Sequence, residues 1–191
     1  MSFFDKDECP YRNILHRYAD DLGIGGETET YACEMYESAM KNVSIRDMDD
    51  GLIIATCLYI ACRKKNEAYD SADIAEAAGI KPARLSYAFR LITRQLNISL
   101  KPVSPLIYIP RISDDLNLSD KARTKAIEIT DDAIGKGIVR GKNPKGVAAA
   151  AIYLACESVG EKMEKRRIAD IAGVTEITIN LRCNDLEGSV D

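Results

Sequence analysis

Two stretches of the chain are apolar on nearly all sides, whereas the segments around them alternate apolar and polar residues with helical spacing. The first stretch covers residues 55–62 and the second covers residues 149–156. A helix that is apolar all round is buried, so we expect each stretch to be the centre of a helical bundle. Asn143 suits the N-cap of the second central helix, because its side-chain oxygen can accept an orphan backbone N–H. Pro144 suits the first helical position, where no donor is needed.

The apolar and polar pattern predicts five helices in each half of the chain and no strand. Those of the first half are 11–22, 27–42, 47–65, 72–78 and 82–97. Those of the second half are 106–116, 119–136, 143–159, 164–172 and 175–186. In each half the last two helices are joined by a tight turn that contains Gly79 or Gly173, which is the form of a helix-turn-helix.

The two halves repeat each other. Cys62 and Cys156 are 156 − 62 = 94 residues apart, and the same offset aligns Tyr59 with Tyr153. It holds without a gap from Arg17 and Arg111 onwards. A period this long indicates two homologous domains rather than a solenoid. We therefore predict a disordered N-terminus over 1–10, a first repeat over 11–98, a linker over 99–105 and a second repeat over 106–191.

Composition narrows the class of protein. Residues 1–98 carry 12 Lys and Arg against 16 Asp and Glu, a net charge of 12 − 16 = −4, while residues 99–191 carry 14 of each, a net charge of zero. A mildly acidic chain binds DNA only through local basic patches, and the second repeat is the better candidate. With no signal peptide and no apolar run near the roughly 20 residues that span a bilayer, we expect a cytoplasmic protein without a membrane partner.

The residue types that usually carry catalysis or hold metals are sparse. The six cysteines form no Cys-x-x-Cys pair, and His16 is the one histidine. This argues against a structural zinc site, and no cofactor is indicated. Cys57, Cys62 and Cys156 lie in the central helices, where cysteine behaves as a small hydrophobic residue. Without a catalytic constellation we expect no enzymatic activity.

Four segments carry a resemblance to a known family. They are residues 143–155 (Asn-Pro-Lys-Gly-Val-Ala-Ala-Ala-Ala-Ile-Tyr-Leu-Ala), 168–179, 58–63 and 90–97. Together with the repeat, they resemble the cyclin-like core of transcription factor IIB and, more closely, of archaeal transcription factor B. The resemblance covers residues 12–186. It implies an all-α fold of two tandem five-helix cyclin-like repeats, each ending in a helix-turn-helix.

The resemblance also implies a function. The core of this family binds the complex of the TATA-binding protein with promoter double-stranded DNA and contacts DNA beside the TATA box. Carried over by position, the DNA-reading helix is 175–186, and the residues that face bases are Glu176, Ile177, Thr178 and Asn180. Lys81 and Arg84 match the region that contacts the TATA-binding protein.

Six cations are candidates for contacts with DNA phosphates: Arg140, Lys142, Lys145, Lys165, Arg166 and Arg167. Lys142 and Lys145 flank the N-terminus of the second central helix, which we expect to be exposed. A helix N-terminus binds anions through its dipole and free N–H groups. The same two lysines are equally consistent with a solvated loop.

Three departures from the family pattern qualify this interpretation. The zinc ribbon that normally precedes the core and helps to engage RNA polymerase is absent, so the sequence is either a core fragment or a natural short form. RNA polymerase is therefore a partner whose usual contact is missing. Asn180 stands where the family usually has Arg, and Cys183 where it has an aromatic residue, so promoter reading is expected to be altered or lost. The last helix also ends early, at Glu187.

Two hypotheses follow, from different classes. One is a promoter-binding initiation factor core, or a divergent paralogue of it. The alternative is a cyclin-like protein-interaction module without DNA binding, which would offer a hydrophobic groove to a partner helix. An enzyme is a distant third class.

Overall fold

The computed structural model describes residues 10–188, and within this range it contains helices and loops but no strand. The first six helices are α1 Pro10–Leu22, α2 Gly26–Ala39, α3 Val43–Arg46, α4 Asp50–Lys65, α5 Ser71–Ala77 and α6 Pro82–Gln95. A 3-10 turn at Pro105–Ile107 precedes α7 Tyr108–Leu116, α8 Asp120–Gly135, α9 Pro144–Val159, α10 Lys165–Ala172 and α11 Glu176–Glu187. The stretch predicted to be disordered, 1–10, lies outside the described residues except for Pro10, where α1 begins.

The chain divides into two units between Lys101 and Pro102. Unit 1 contains α1 to α6 and unit 2 contains α7 to α11. Each unit has five principal helices, so the predicted all-α fold of two five-helix repeats is confirmed. The one-turn helix α3 of unit 1 was not predicted. It forms because the side chain of Asn42 accepts a hydrogen bond from the backbone N–H of Ser44 at 3.0 Å.

Helix α4 is the centre of unit 1 and packs against α1, α2, α5 and α6. Residues 53–58 are fully buried within it. The helix starts at Asp50 rather than at the predicted residue 47, because the side chain of Asp49 caps it by accepting from Leu52 N at 2.9 Å. It ends at Asn66, whose left-handed φ of 60° stops the helical path.

Helix α9 has the same place in unit 2, packed against α7, α8, α10 and α11. Residues 147–152 are each no more than 1% exposed, as the apolar pattern predicts. The predicted start is also confirmed: the side chain of Asn143 accepts from Gly146 N at 3.3 Å, and Pro144 is the first helical residue. The run of Ala148 to Ala151 keeps the helix thin, so its neighbours approach closely.

One carboxylate in each unit ties the end of the central helix to the start of the second principal helix. In unit 1, Thr28 Oγ1 donates to Glu67 Oε1 at 2.9 Å. In unit 2, Ser119 Oγ donates to Glu161 Oε2 at 2.5 Å, and Ser119 N donates to Glu161 Oε1 at 3.3 Å. Glu67 and Glu161 are related by the 94-residue offset. The repeat therefore preserves an interaction as well as a helix order.

Cys57, Cys62 and Cys156 are no more than 1% exposed, which confirms the prediction that the cysteines of the central helices are core residues. Burial raises the pKa of the Cys57 and Cys62 thiols to about 12 and that of Cys156 and Cys183 to about 11. These side chains are therefore uncharged thiols at neutral pH.

Two properties of residues 10–188 bear on function. None of the helices there is both long and apolar enough to cross a membrane. Nor does this range contain a group of three or more His, Cys, Asp or Glu residues that could hold a metal ion.

Substituting Ser119 with Ala removes both the bond to Glu161 and the cap of α8, where Ser119 Oγ accepts from Ala122 N at 3.2 Å. We expect the free energy of unfolding to fall by about 1–2 kcal/mol. Urea denaturation followed by circular dichroism measures this change. The matched control is Ser158→Ala, because Ser158 donates only to Ala155 O within its own helix; a change below about 0.5 kcal/mol is expected there. Equal effects of the two substitutions would contradict the capping role.

Candidate nucleic-acid interface

Helices α10 and α11 meet at a turn that the backbone and one side chain fix. Gly173 has a left-handed φ of 63°, and Val174 N donates to Ala169 O at 3.0 Å. Thr175 then caps α11 by accepting from Thr178 N at 3.1 Å. This is the helix-turn-helix that the sequence predicted for the end of unit 2.

Helix α11 has a buried face and an outer face. Ile179, Cys183 and Leu186 are buried, and the helix packs on α9 and α10. Three of the four predicted base-facing residues lie on the outer face: Glu176, Ile177 and Asn180. Ile177 is 71% exposed.

The fourth predicted base-facing residue, Thr178, is partly buried and turns toward α9. A Cβ atom placed on Gly146 would lie 2.8 Å from Thr178 Cγ2 and 3.6 Å from Arg182 Cγ. Glycine at position 146 therefore allows α11 to approach α9 more closely than any other residue would. This contact sets the angle at which the outer face is presented.

Two further residues of the outer face were missed. Leu181, which is 53% exposed, and Asn184, also exposed, follow Ile177 by four and seven residues. This spacing places all three on one side of a helix. The outer face of α11 thus consists of Glu176, Ile177, Asn180, Leu181 and Asn184. The helical period alone is sufficient to predict that Leu181 and Asn184 share this face with Ile177.

Arg182, the one cation of α11, is not on this face. Its Nε lies 3.1 Å from Asp185 Oδ2, and Lys142 Nζ lies 2.8 Å from the same oxygen. All three side chains are largely buried, with 21–32% of each exposed. This three-residue cluster, named here the Asp185 cluster, joins the loop before α9 to α11. A phosphate that binds Lys142 has to compete with this carboxylate.

We expected the N-terminus of α9 to be exposed. This is wrong for the residues that follow Pro144, which are buried. Lys145 is only 7% exposed, and its Nζ lies 5.8 Å from the centroid of the Tyr108 ring. Gly146 is also buried, because α11 packs over it. Asn143 remains exposed and is the part of this terminus that solvent reaches freely.

The other four phosphate candidates are in different surroundings. Arg140, Arg166 and Arg167 are exposed. Lys165 is partly buried, with its Nζ 4.3 Å from the centroid of the Tyr153 ring. Tyr153 lies nine residues after Pro144 on α9, which is about 14 Å along a helix axis. The structure therefore does not bring Lys165 together with the cations at the start of α9.

In unit 1 the two residues predicted to contact the TATA-binding protein lie at the start of α6. Lys81 is the N-cap residue and Arg84 follows within the first turn, and both are exposed. Arg84 borders a cavity of about 460 Å³ whose other lining residues are Asp47, Met48, Asp49, Leu52, Ala83 and Tyr87. Tyr87 is 60% exposed. Tyr87 was not predicted as a site residue, although it shares a face with Arg84.

These features define an all-helical protein of two tandem five-helix repeats, in which the second ends in a helix-turn-helix with an exposed outer face. The comparison with protein families gives this class a name. The family model described as "Transcription factor TFIIB repeat" matches residues 9–95 and 98–188. The chain belongs to this family.

Three relatives with curated names, all archaeal, illustrate the similarity. The chain is 37% identical over 177 residues to transcription initiation factor IIB of Methanothermococcus thermolithotrophicus, which covers 93% of this chain and 52% of the relative. It is 36% identical over 174 residues to transcription initiation factor IIB 1 of Thermococcus kodakarensis, with 90% and 58% covered. The factor IIB of Methanocaldococcus jannaschii is 35% identical, and 26% of its length is covered. The chain thus spans about half the length of the first two relatives.

Among solved structures, a chain of the CAK complex bound to ATP-gamma-S from Chaetomium thermophilum matches with a TM-score of 0.42 and 19% identity. The match covers 94% of this chain and 61% of that one.

Substituting Gly146 with Ala tests the close contact between α9 and α11. Because the new methyl group would meet Thr178, whose β-branched side chain is stiff, we expect a loss of about 1–3 kcal/mol in the free energy of unfolding. Alanine would otherwise stabilise a helix by about 1 kcal/mol over glycine. Thermal and urea denaturation show whether the substitution lowers or raises the free energy of unfolding.

The matched control is Gly135→Ala near the end of α8, where an added Cβ meets nothing within 4 Å. A neutral or stabilising effect is expected at that position. If Gly146→Ala also stabilises the protein, α11 is not held by this contact.

Proposed function

We propose that this chain is the promoter-binding core of a B-type transcription initiation factor. In this proposal it binds the complex of the TATA-binding protein with promoter DNA and contacts the DNA beside the TATA box. RNA polymerase is a further partner in this proposal. Membership in the TFIIB repeat family and the names of the archaeal relatives support this proposal.

The observation that carries the proposal is the outer face of α11. A helix in the major groove presents three or four side chains to base edges. Asn180 and Asn184 are suited to bidentate bonds with adenine, and Ile177 is suited to contact a thymine methyl group. All three are exposed on one side of a capped helix. The short polar side chains allow the helix to lie close to the bases.

Phosphate contacts in this proposal come from the exposed arginines Arg140, Arg166 and Arg167. Such contacts fix register without reading sequence. Since residues 99–191 have a net charge of zero, their general attraction to DNA is weak. Stable binding therefore needs the TATA-binding protein, with Lys81 and Arg84 as the proposed contacts of unit 1.

A second candidate function rests on the same helix. The outer face of α11 carries two large exposed aliphatic residues, Ile177 and Leu181, and none of its residues is a cation. An apolar face of this kind also suits a groove in a partner protein. The alternative is therefore a protein-interaction module that does not bind DNA, and the two functions differ in salt dependence.

Fluorescence anisotropy on a TATA-containing promoter duplex separates the two functions. We expect binding only when an archaeal TATA-binding protein is added, with an affinity that falls steeply as salt rises. Arg166→Ala combined with Arg167→Ala should reduce the slope of log affinity against log salt by about 2. The control pair, Lys64→Ala with Lys65→Ala, removes the same charge from exposed positions in unit 1 and should change the slope by much less.

The variant Asn180→Arg tests in the same assay whether α11 contacts bases. An arginine at this position is expected to bond guanine and to raise discrimination at one base pair by about 1–3 kcal/mol. The promoter proposal does not survive if no duplex binds at any salt concentration with the TATA-binding protein present. The interaction module would then be the better account.

The Asp185 cluster gives an independent prediction. Asp185→Asn removes the carboxylate that holds Lys142 and Arg182, so both cations become available to phosphate. We expect tighter binding to the complex of the TATA-binding protein with DNA and a salt slope larger by about 2. At the same time the free energy of unfolding should fall by about 1–3 kcal/mol, because the two ion pairs of this partly buried carboxylate are lost. The control is Asp131→Asn, an exposed charge on α8. The same gain in affinity there would show an effect of net charge alone.

A further inference from the structure

The C-terminal end of α4 holds the segment that follows α6. Tyr59 and Phe89 form a ring pair with centroids 5.0 Å apart, and the guanidinium carbon of Arg63 lies 5.9 Å from the centroid of each ring. Arg63 Nη2 donates to the carbonyl oxygen of Lys101 at 2.9 Å. Residues 98–104 contain no helix. Unit 1 therefore binds an extended piece of its own chain at this end of its central helix.

The equivalent end of α9 is built differently. The 94-residue offset aligns Tyr59 with Tyr153, Phe89 with Cys183 and Arg63 with Glu157. Cys183 has no ring to set against Tyr153, and Lys165 covers that ring instead. The result is an open pocket of about 620 Å³, here named the α9 pocket. Its principal lining residues are Tyr153, Cys156, Glu157, Glu161, Met163 and Glu164.

Two carboxylates of the α9 pocket are placed to bind a cation. Glu157 is exposed and uses Oε1 to accept from Tyr153 Oη at 2.5 Å, which leaves Oε2 to face solvent. Glu164 is exposed and makes no capping bond to α10. Glu161 is engaged with Ser119. Lys162 also lines the pocket, and Lys165 lies over the Tyr153 ring, so three carboxylates stand against two amines.

The α9 pocket also has an apolar part. Met163 and the ring of Tyr153 are partly exposed and present a surface that an extended chain can cover. The exchange of Arg63 for Glu157 replaces a donor with an acceptor. The ligand that fits must therefore supply N–H groups and positive charge. DNA is excluded here, because its phosphates would face three carboxylates.

We propose that the α9 pocket binds an extended peptide segment of a partner protein that carries a lysine or arginine. The cationic side chain pairs with Glu157 and Glu164, and the neighbouring residues of the segment cover Met163 and Tyr153. This function goes beyond the contact with promoter DNA and does not depend on it.

The probe is an eight-residue peptide that copies residues 97–104, Asn-Ile-Ser-Leu-Lys-Pro-Val-Ser, with both ends blocked. It is titrated into the ¹⁵N-labelled full chain and followed by amide chemical shifts. We expect saturable shifts at residues 160–164 and little change in unit 1, where the chain's own segment is bound. Replacing the lysine of the peptide with glutamate should weaken binding at least tenfold, which corresponds to about 1.4 kcal/mol.

Protein variants test the pairing. Glu157→Gln combined with Glu164→Gln should weaken the lysine peptide about tenfold, since charge-assisted bonds are lost. Glu76→Gln, an exposed charge on α5, is the control and should have no effect. Thermal midpoints verify that each variant is folded. The absence of saturable shifts, or equal binding of the lysine and glutamate peptides, would overturn the proposal. We expect the double variant to bind promoter DNA as the unsubstituted chain does. The peptide proposal and the promoter proposal are therefore tested independently of each other.

Discussion

The whole architecture depends on close packing around two central helices. Residues 147–152 of α9 and 53–58 of α4 are buried on every side, which is possible only because four helices surround each of them. In α9 the side chains at positions 148–151 are all alanines, so contact is made largely near the backbone. Interiors packed at this density respond to single methyl groups. The packing of α10 and α11 is consequently sensitive to the side chains that α9 presents to them.

Much of the fold could be predicted from the sequence, because the signals that determine it are local. Asn143 and Pro144 identify the start of α9 through capping and a fixed φ, and the structure has both in those roles. The 94-residue offset predicts two domains without any knowledge of contacts. The start of α4 was placed too early because three aspartates follow one another closely, at positions 47, 49 and 50, and the pattern alone does not show which of them is the cap.

The candidate site was harder to predict, since its properties arise between distant segments. Lys142 and Asp185 are 43 residues apart in the sequence, yet they form an ion pair. The position of Lys145 near a helix start predicts a surface cation, but the residue is buried, with its Nζ close to the Tyr108 ring. Leu181 was within reach of sequence analysis, because it follows Ile177 by one helical turn. The ion pair of Lys142 and the burial of Lys145, in contrast, cannot be predicted without the tertiary structure.

The absence of a side chain at Gly146 has a consequence for how this family member can diversify. Because backbone and a threonine methyl hold α11 in place, the aim of the helix does not depend on which residues occupy positions 177, 180 and 184. Orientation and recognition are therefore separable properties, encoded in different residues. Point mutations on the outer face can therefore change the binding preference one residue at a time, while the orientation of α11 stays the same.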